Sequence, residues 1–208
     1  MRIVVPTYDQ CSAWLIPIFM HFYKKNWPDS PYPIDVLTET QELEGVNTFC
    51  AGEIPWSDMW IKYLESIDDE QVLLLLDDFI LDKPVRTDVV QQAERFCNSD
   101  VGMVHLYYRP KVDCFYFESG FADFKEFPLF HPNSCSTAPA IWQRKHFLNI
   151  LRSGENPWRF EINGSKRVPL LMKRVMSTKI PAISFCPGGY MHRGEVYQPT
   201  AKWVKENW

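Results

Sequence analysis

The sequence predicts an α/β fold in which a central, mostly parallel sheet is flanked by helices. Three observations carry this. The chain opens strand, helix, strand: an apolar run at Arg2–Pro6, a helical pattern within 11–27, and a second strand at Ile34–Glu39, the order of a parallel unit. The run Val72–Leu76 is apolar without alternation, as expected of a strand buried on both faces in the middle of a parallel sheet. Strand and helix patterns then continue with no repeat and no low-complexity linker, so the 208 residues read as one domain.

In chain order, "RIVVP" ends its strand at Pro6. In "CSAWLIPIFMHFYKKNW", Trp14, Ile18 and Phe22 recur at helical spacing, Ser12 offers a cap, and Pro17 either kinks the helix or delays its start. "PDSPYP" is a loop before the second strand. "WSDMWIKYLESI" predicts a helix capped by Ser57, with Asp58 in its first turn and Trp56, Trp60, Leu64 and Ile67 on one face. After the central strand, "TDVVQQAERFC" predicts a helix capped by Thr87, with Val89, Ala93 and Phe96 inward. "VGMVHLYY" and "CFYFES" predict strands, "APAIWQRKHFLNIL" a short strand and a helix, and "PAISFCP" a last strand.

Composition narrows the class. Hydrophobic residues at 46% and charged residues at 23% describe an ordinary globular chain. Aromatics at 15% supply a dense core or platforms for rings. No run approaches the roughly 18 apolar residues that span a bilayer, and the N-terminus reads as a strand rather than a signal peptide. A cytoplasmic protein is the expectation. Six scattered cysteines without a CxxC pair point to free, buried thiols. The net charge of −4 hides an asymmetry. Residues 1–139 hold 10 basic against 22 acidic residues, and residues 140–208 hold 12 against 4. Such a basic C-terminal third suits an anionic partner: a diphosphate, an acidic glycan or a nucleic acid.

The chemistry concentrates where the central strand ends. Ligands of open parallel sheets bind outside the carboxyl ends of the strands, and there stand Asp77 and Asp78. Two adjacent carboxylates repel. Either a divalent cation, Mg²⁺ or Mn²⁺, resolves that repulsion, or Asp77 caps the loop and Asp78 pairs with Lys83 or Arg86. Neither a Walker loop nor a GxGxxG is present, which disfavours a P-loop kinase and a Rossmann dehydrogenase.

The stretch "WSDMWIKYLESIDDEQVLLLLDDFILDKPV" resembles GT-A-fold glycosyltransferases of a bacterial and phage type, in which a buried strand ends in an aspartate-rich motif. "APAIWQRKHFLNILRSGENPWRFE" resembles the acceptor-side segment of the same group, a strand and helix followed by a loop with acidic residues and Trp. The resemblance covers residues 1 to about 193 and departs from the family at Asp77-Asp78-Phe79-Ile80-Leu81-Asp82, which replaces a strict Asp-x-Asp triplet.

It implies a GT-A-like single domain, with a nucleotide-sugar-binding half (1–110) and a basic acceptor-side half (111–208). The implied reaction moves a sugar from a nucleotide-diphosphate donor, a UDP-sugar in the first instance, to an acceptor hydroxyl with the help of Mn²⁺ or Mg²⁺. The acceptor is a bacterial surface glycan or a hydroxymethylated DNA base of a phage. On this reading Asp77, Asp78 and His192 hold the metal. Pro6, Thr7, Tyr8, Thr38, Glu39, Trp56, Ser57, Asp77 and Arg193 bind the donor. Glu161 or Glu155 is the general base, with Asp78 in the reacting centre. Trp158, Arg159 and Arg152 meet the acceptor. Two competing classes are a non-catalytic module that binds nucleotide or glycan, and a nucleotidyltransferase. The latter lacks its glycine-rich N-terminal signature here.

Overall fold

A computed structural model describes residues 1–98, 100–107, 117–118, 123–192 and 194–208. In chain order the elements are β1 (Arg2–Pro6), a 3-10 turn (Ala13–Leu15), α1 (Ile16–Asn26), β2 (Ile34–Thr38), β3 (Asn47–Cys50), α2 (Trp56–Ser66), β4 (Gln71–Leu74) and α3 (Thr87–Phe96). There follow β5 (Val101–His105), β6 (Phe117–Glu118), β7 (Phe124–Phe127), β8 (Ala140–Gln143), α4 (Arg144–Ile150), α5 (Pro157–Arg167), β9 (Arg174–Thr178), the pair β10 (Met191–His192) and β11 (Glu195–Val196), and α6 (Gln198–Asn207).

One sheet takes nine strands in the order β3-β2-β1-β4-β8-β5-β9-β7-β6. β8 and β7 run against the others, since both of β8's pairings and both of β7's are antiparallel. The rest share one direction, so the sheet is mostly parallel. β4 explains its own sequence. Leu73 and Leu75 pack with α1, α3 and α6 residues such as Phe19, Val89 and Val204. Val72 and Leu74 pack on the other face with Trp56, Trp60, Phe147 and Phe160 of α2, α4 and α5. With both faces covered there is no polar position to alternate.

Several local expectations are corrected. Pro17 sits in the first turn of α1, so it delays the helix and does not kink it. Ser12, Ser57 and Thr87 do not cap. Ser12 bonds Thr7, Ser57 lies inside α2 behind Pro55, and Thr87 accepts from the Trp27 indole at 2.9 Å. "PAISFCP" is not a strand: it follows β9 and contributes a single bridge, Leu81 to Phe185. "GENPWRFE" is not a loop beyond Asn156, whose side chain accepts from the Arg159 amide and starts α5. The described cysteines are free; Cys97, Cys135 and Cys186 are buried, but Cys11 and Cys50 are exposed. Part of the predicted strand at 114–119 lies outside the described residues.

Candidate functional site

Three parallel strands deliver their C-terminal ends to one edge of the sheet. The turn after β4 carries Asp77 and Asp78, the loop after β1 carries Thr7 and Tyr8, and β2 ends at Thr38 beside them. Because β8 runs backwards against β4, with Ala140 opposite Leu74, the segment before β8 reaches the same edge. The result is a cleft of about 550 Å³ lined among others by Tyr8, Asp77, Asp78, Trp158, Glu161 and His192.

Asp77 is buried, and its Oδ2 has no hydrogen-bond partner among the described residues. Burial pushes its pKa up to about 6, against the hydroxyls of Ser12 and Thr7, which favour the charged form. Asp78 is pushed to about 7, first by burial and then by the charge of Asp77, with the Met191 amide opposing. No ion pair joins Asp78 to Lys83 or Arg86 among the described residues. The two carboxylates are thus set electrostatically against each other, and among the described residues no ion pair compensates either.

The β10–β11 hairpin closes over them. The Tyr190 amide donates to the Asp78 carbonyl at 2.7 Å. Gly189 (φ +70°) lies so close that a Cβ there would stand 2.6 Å from Asp78 Oδ2. A buried carboxylate oxygen without a partner among the described residues and a second carboxylate next to it are the kind of oxygen donors a hard divalent cation takes, and His192 lines the same cleft. Among the described residues, however, no group of three His, Cys, Asp or Glu side chains is gathered closely enough to enclose one.

Across the cleft, Glu161 is held by the segment before β8. Its Oε1 accepts from the Thr137 amide at 2.6 Å, Thr137 Oγ1 at 2.9 Å and Ser136 Oγ at 3.0 Å. Trp158, one turn earlier on α5, is 69% exposed at the mouth. On the β1 side, Tyr8 lines the cleft, its phenol pushed to about 12 by burial and by the charge of Glu39.

Eight of the residues singled out in the sequence line this cleft: Pro6, Tyr8, Trp56, Asp77, Asp78, Trp158, Glu161 and His192. The others lie elsewhere. Thr7 is buried beneath, 2.9 Å from Ser12. Thr38 is fully buried, and Glu39 accepts from the Asp9 amide at 3.1 Å. Ser57 and Glu155 bind each other's backbone, and Glu155 takes a two-pronged ion pair from Arg167 at 2.6 and 2.9 Å plus Asn163 at 3.0 Å. That occupancy, and a place outside the cleft lining, set Glu155 apart from Glu161. Arg152 donates to the carbonyls of Asn149 and Leu151. Arg159 is exposed on α5 without lining the cleft, and Arg193 lies outside the described residues. Sequence reasoning missed Ser12 and Thr137, which carry no charge and no motif. The available signal was the cluster of small hydroxyl residues in "SCSTAP", just before a strand.

No protein-family profile and no curated protein matches the chain. Solved structures do match in fold. CMP:2-keto-3-deoxy-manno-octonic acid synthetase complexed with CTP superposes with a TM-score of 0.61 at 12% identity, covering 99% of this chain and 97% of that one. S. aureus TarS gives 0.61 at 14% identity, over 90% of this chain and 37% of its own. The mannosyltransferase PcManGT from Pyrobaculum calidifontis, in complex with GDP-Man and Mn²⁺, gives 0.57 at 14%, over 93% and 57%. The fold is therefore the α/β architecture shared by GT-A-like and nucleotidyltransferase-like proteins. The chain spans 37% of TarS and 57% of PcManGT, less than two thirds of each.

Proposed function

We propose that the protein is a transferase that takes a sugar from a nucleotide-diphosphate donor and passes it to an acceptor hydroxyl. The observation that carries this is the pairing, across one cleft, of two adjacent carboxylates with an anchored glutamate. Asp77 and Asp78 stand on one wall and Glu161 on the other.

In this reading Tyr8 packs against the nucleotide base. Asp77 and Asp78, with His192 at the rim, would hold a divalent cation, which would supply positive charge against the departing diphosphate. Glu161 takes the proton from the acceptor hydroxyl. The acceptor oxygen bonds to the anomeric carbon as the carbon–oxygen bond to the diphosphate breaks, its electron pair leaving on the diphosphate. This is a single displacement with inversion. Trp158 offers the acceptor a flat apolar face, and the basic surface of residues 140–208 favours an anionic acceptor, whether glycan or modified DNA.

Support from comparison is of fold and ligand type only. One fold neighbour was solved with GDP-Man and Mn²⁺ and another, TarS 1–349, with UDP-GlcNAc. The synthetase solved with CTP favours a second reading, nucleotidyl transfer, because it matches over nearly its whole length. Against it stands the loop after β1, Pro6-Thr7-Tyr8-Asp9, which has no glycine and places a tyrosine in the cleft.

The test is a donor panel. Wild-type protein with Mn²⁺ is given UDP- and other NDP-sugars, and release of nucleoside diphosphate is measured beside pyrophosphate release from CTP plus sugar acids. Diphosphate release that Asp77→Ala and Asp78→Ala abolish supports the proposal. Turnover that survives both substitutions removes the role given to the pair, and pyrophosphate release alone establishes the second reading.

A further inference from the structure

Glu161 is fixed by one oxygen. Oε1 accepts three hydrogen bonds from Ser136 and Thr137, whereas Oε2 accepts none from the described residues. The donors are themselves constrained. Ser136 is 2% and Thr137 7% exposed. Ser136 Oγ also accepts from the Ala138 amide at 3.2 Å, which ties the hydroxyl to the backbone of its own segment.

The helix that carries Glu161 is pinned from its other end. Asn156 caps it, and the Glu155–Arg167 ion pair ties the turn before it to its last residue. Backbone and side-chain bonds between Ser57 and Glu155, and from the Gly154 amide to Asp58, join that turn to the start of α2. A carboxylate has two nearly equivalent oxygens and a χ3 torsion that is soft on its own. Three donors on one oxygen remove that freedom.

We propose that Ser136 and Thr137 are positioning residues that make Oε2 of Glu161 the atom that receives the acceptor's proton. The inference rests on the reading of Glu161 as general base. In the transfer step the acceptor O–H proton passes to Oε2, the acceptor oxygen bonds to the anomeric carbon, and the diphosphate leaves with the electron pair. Oε1 keeps its three bonds throughout and returns Oε2 to the same place once the proton is lost to water. Misplacing a reacting group by about 1 Å can cost on the order of a hundredfold in rate, so a loose Glu161 would still bind substrates but turn them over slowly.

The experiment uses the full chain and a donor–acceptor pair found by the panel above. Ser136→Ala combined with Thr137→Val removes both hydroxyls and keeps the Thr137 amide. Expected is a loss in kcat of roughly tenfold or more, with KM for acceptor and Kd for donor within about twofold of wild type. Thr137→Ser, which restores the hydroxyl in the Ser136-intact chain, should return kcat to near the wild-type value. If Glu161→Gln abolishes turnover while the double variant keeps wild-type kcat, the positioning role is overturned and the base survives. If Glu161→Gln is itself fully active, the general-base reading is lost, and this inference with it. Should the double variant not fold, the single Ser136→Ala carries the test: a several-fold drop in kcat at constant KM supports the proposal, and an unchanged kcat overturns it.

Discussion

Glu155 and Glu161 sit near the two ends of the same short stretch, carry the same charge, and look alike in sequence. The fold treats them in opposite ways. Glu155 is buried with both oxygens taken by Arg167 and one also by Asn163. Glu161 gives one oxygen to hydroxyls and an amide, accepts nothing from the described residues on the other, and lines the cleft that holds Asp77 and Asp78. The difference teaches that a carboxylate's role follows from what remains unsatisfied on it. A charge-compensated carboxylate fastens two elements; a half-satisfied one in a cleft can act on a ligand.

The largest effect should come from separating these roles by substitution. Glu161→Gln keeps the size and an acceptor oxygen but not the ability to take a proton. We expect turnover to fall by roughly 10²–10⁴-fold, with a thermal midpoint within a few degrees of wild type. Comparable loss of folding in a melting curve would instead make Glu161 a structural residue like Glu155.

Glu155→Ala should do the reverse. Removing one partner of a buried ion pair leaves the Arg167 guanidinium uncompensated, which costs about 3 kcal/mol and lowers Tm on the order of 10 °C in a chain of this size. The fraction that remains folded should keep most of its kcat. A stability like wild type would show that the pair is worth no more than an exposed one.

Titration distinguishes the ion-paired carboxylate from the adjacent pair by sign. Burial raises Glu155's pKa, but Arg167 and Asn163 outweigh it and hold it below the usual value of 4.5. Its contribution is therefore fully present above about pH 4.5 and is lost as pH falls through the depressed folded value. Asp78 is raised to about 7 from 3.8, so its contribution is present below about pH 3.8 and is lost as pH rises through about 7. His146 adds a third trend. Burial lowers it to about 4, so the folded state loses stability as pH falls from about 6.5 toward 4. Comparison of wild type with Asp78→Asn, without added cation, cancels the groups that do not interact with Asp78. The wild type should gain stability relative to the variant as pH is lowered from 8 to 5, measured by chemical denaturation at each pH. A constant difference would place Asp78 in water rather than in the cleft.

How much of this was legible depended on the range of the interactions. The central strand and its two aspartates were legible because the signal is local: an apolar run that ends in charge states both burial and its limit. The opening strand, helix and strand were legible from the same kind of pattern. α5 was misread as a loop because Gly154, Asn156 and Pro157 look like breakers, although Asn followed by Pro is also how a helix starts. β3 was missed because its exposed, mixed residues Asn47–Cys50 form an edge with little apolar content. The clamp on Glu161 had no local trace. It exists because β8 enters the sheet antiparallel between β4 and β5 and brings Thr137 to an edge that sequence alone assigns to parallel strands.

The hairpin offers a smaller perturbation of the same comparison. Gly189→Ala forces a Cβ against the Asp78 carboxylate at a positive φ. We expect a cost of about 1–2 kcal/mol from the backbone and the contact, and weaker Mn²⁺-dependent stabilisation, because the carboxylate must turn away. A control at Gly154, which also has a positive φ but open space around it, should lose stability without changing any response to the cation.

The smallest effect on stability should come from Trp158, and it is informative for that reason. At 69% exposure the ring buries little on folding, so Trp158→Ala should change stability by no more than about 0.5 kcal/mol. A large apolar side chain kept in water at a cleft mouth, one turn from Glu161, gains its contacts only when something covers it. If that something is a sugar ring of the acceptor, the variant should raise the acceptor's KM while leaving donor Kd and melting behaviour alone. If it is an anionic chain held by charge, Arg159→Ala should matter more than Trp158→Ala, and added salt should weaken binding in the wild type as much as either substitution does.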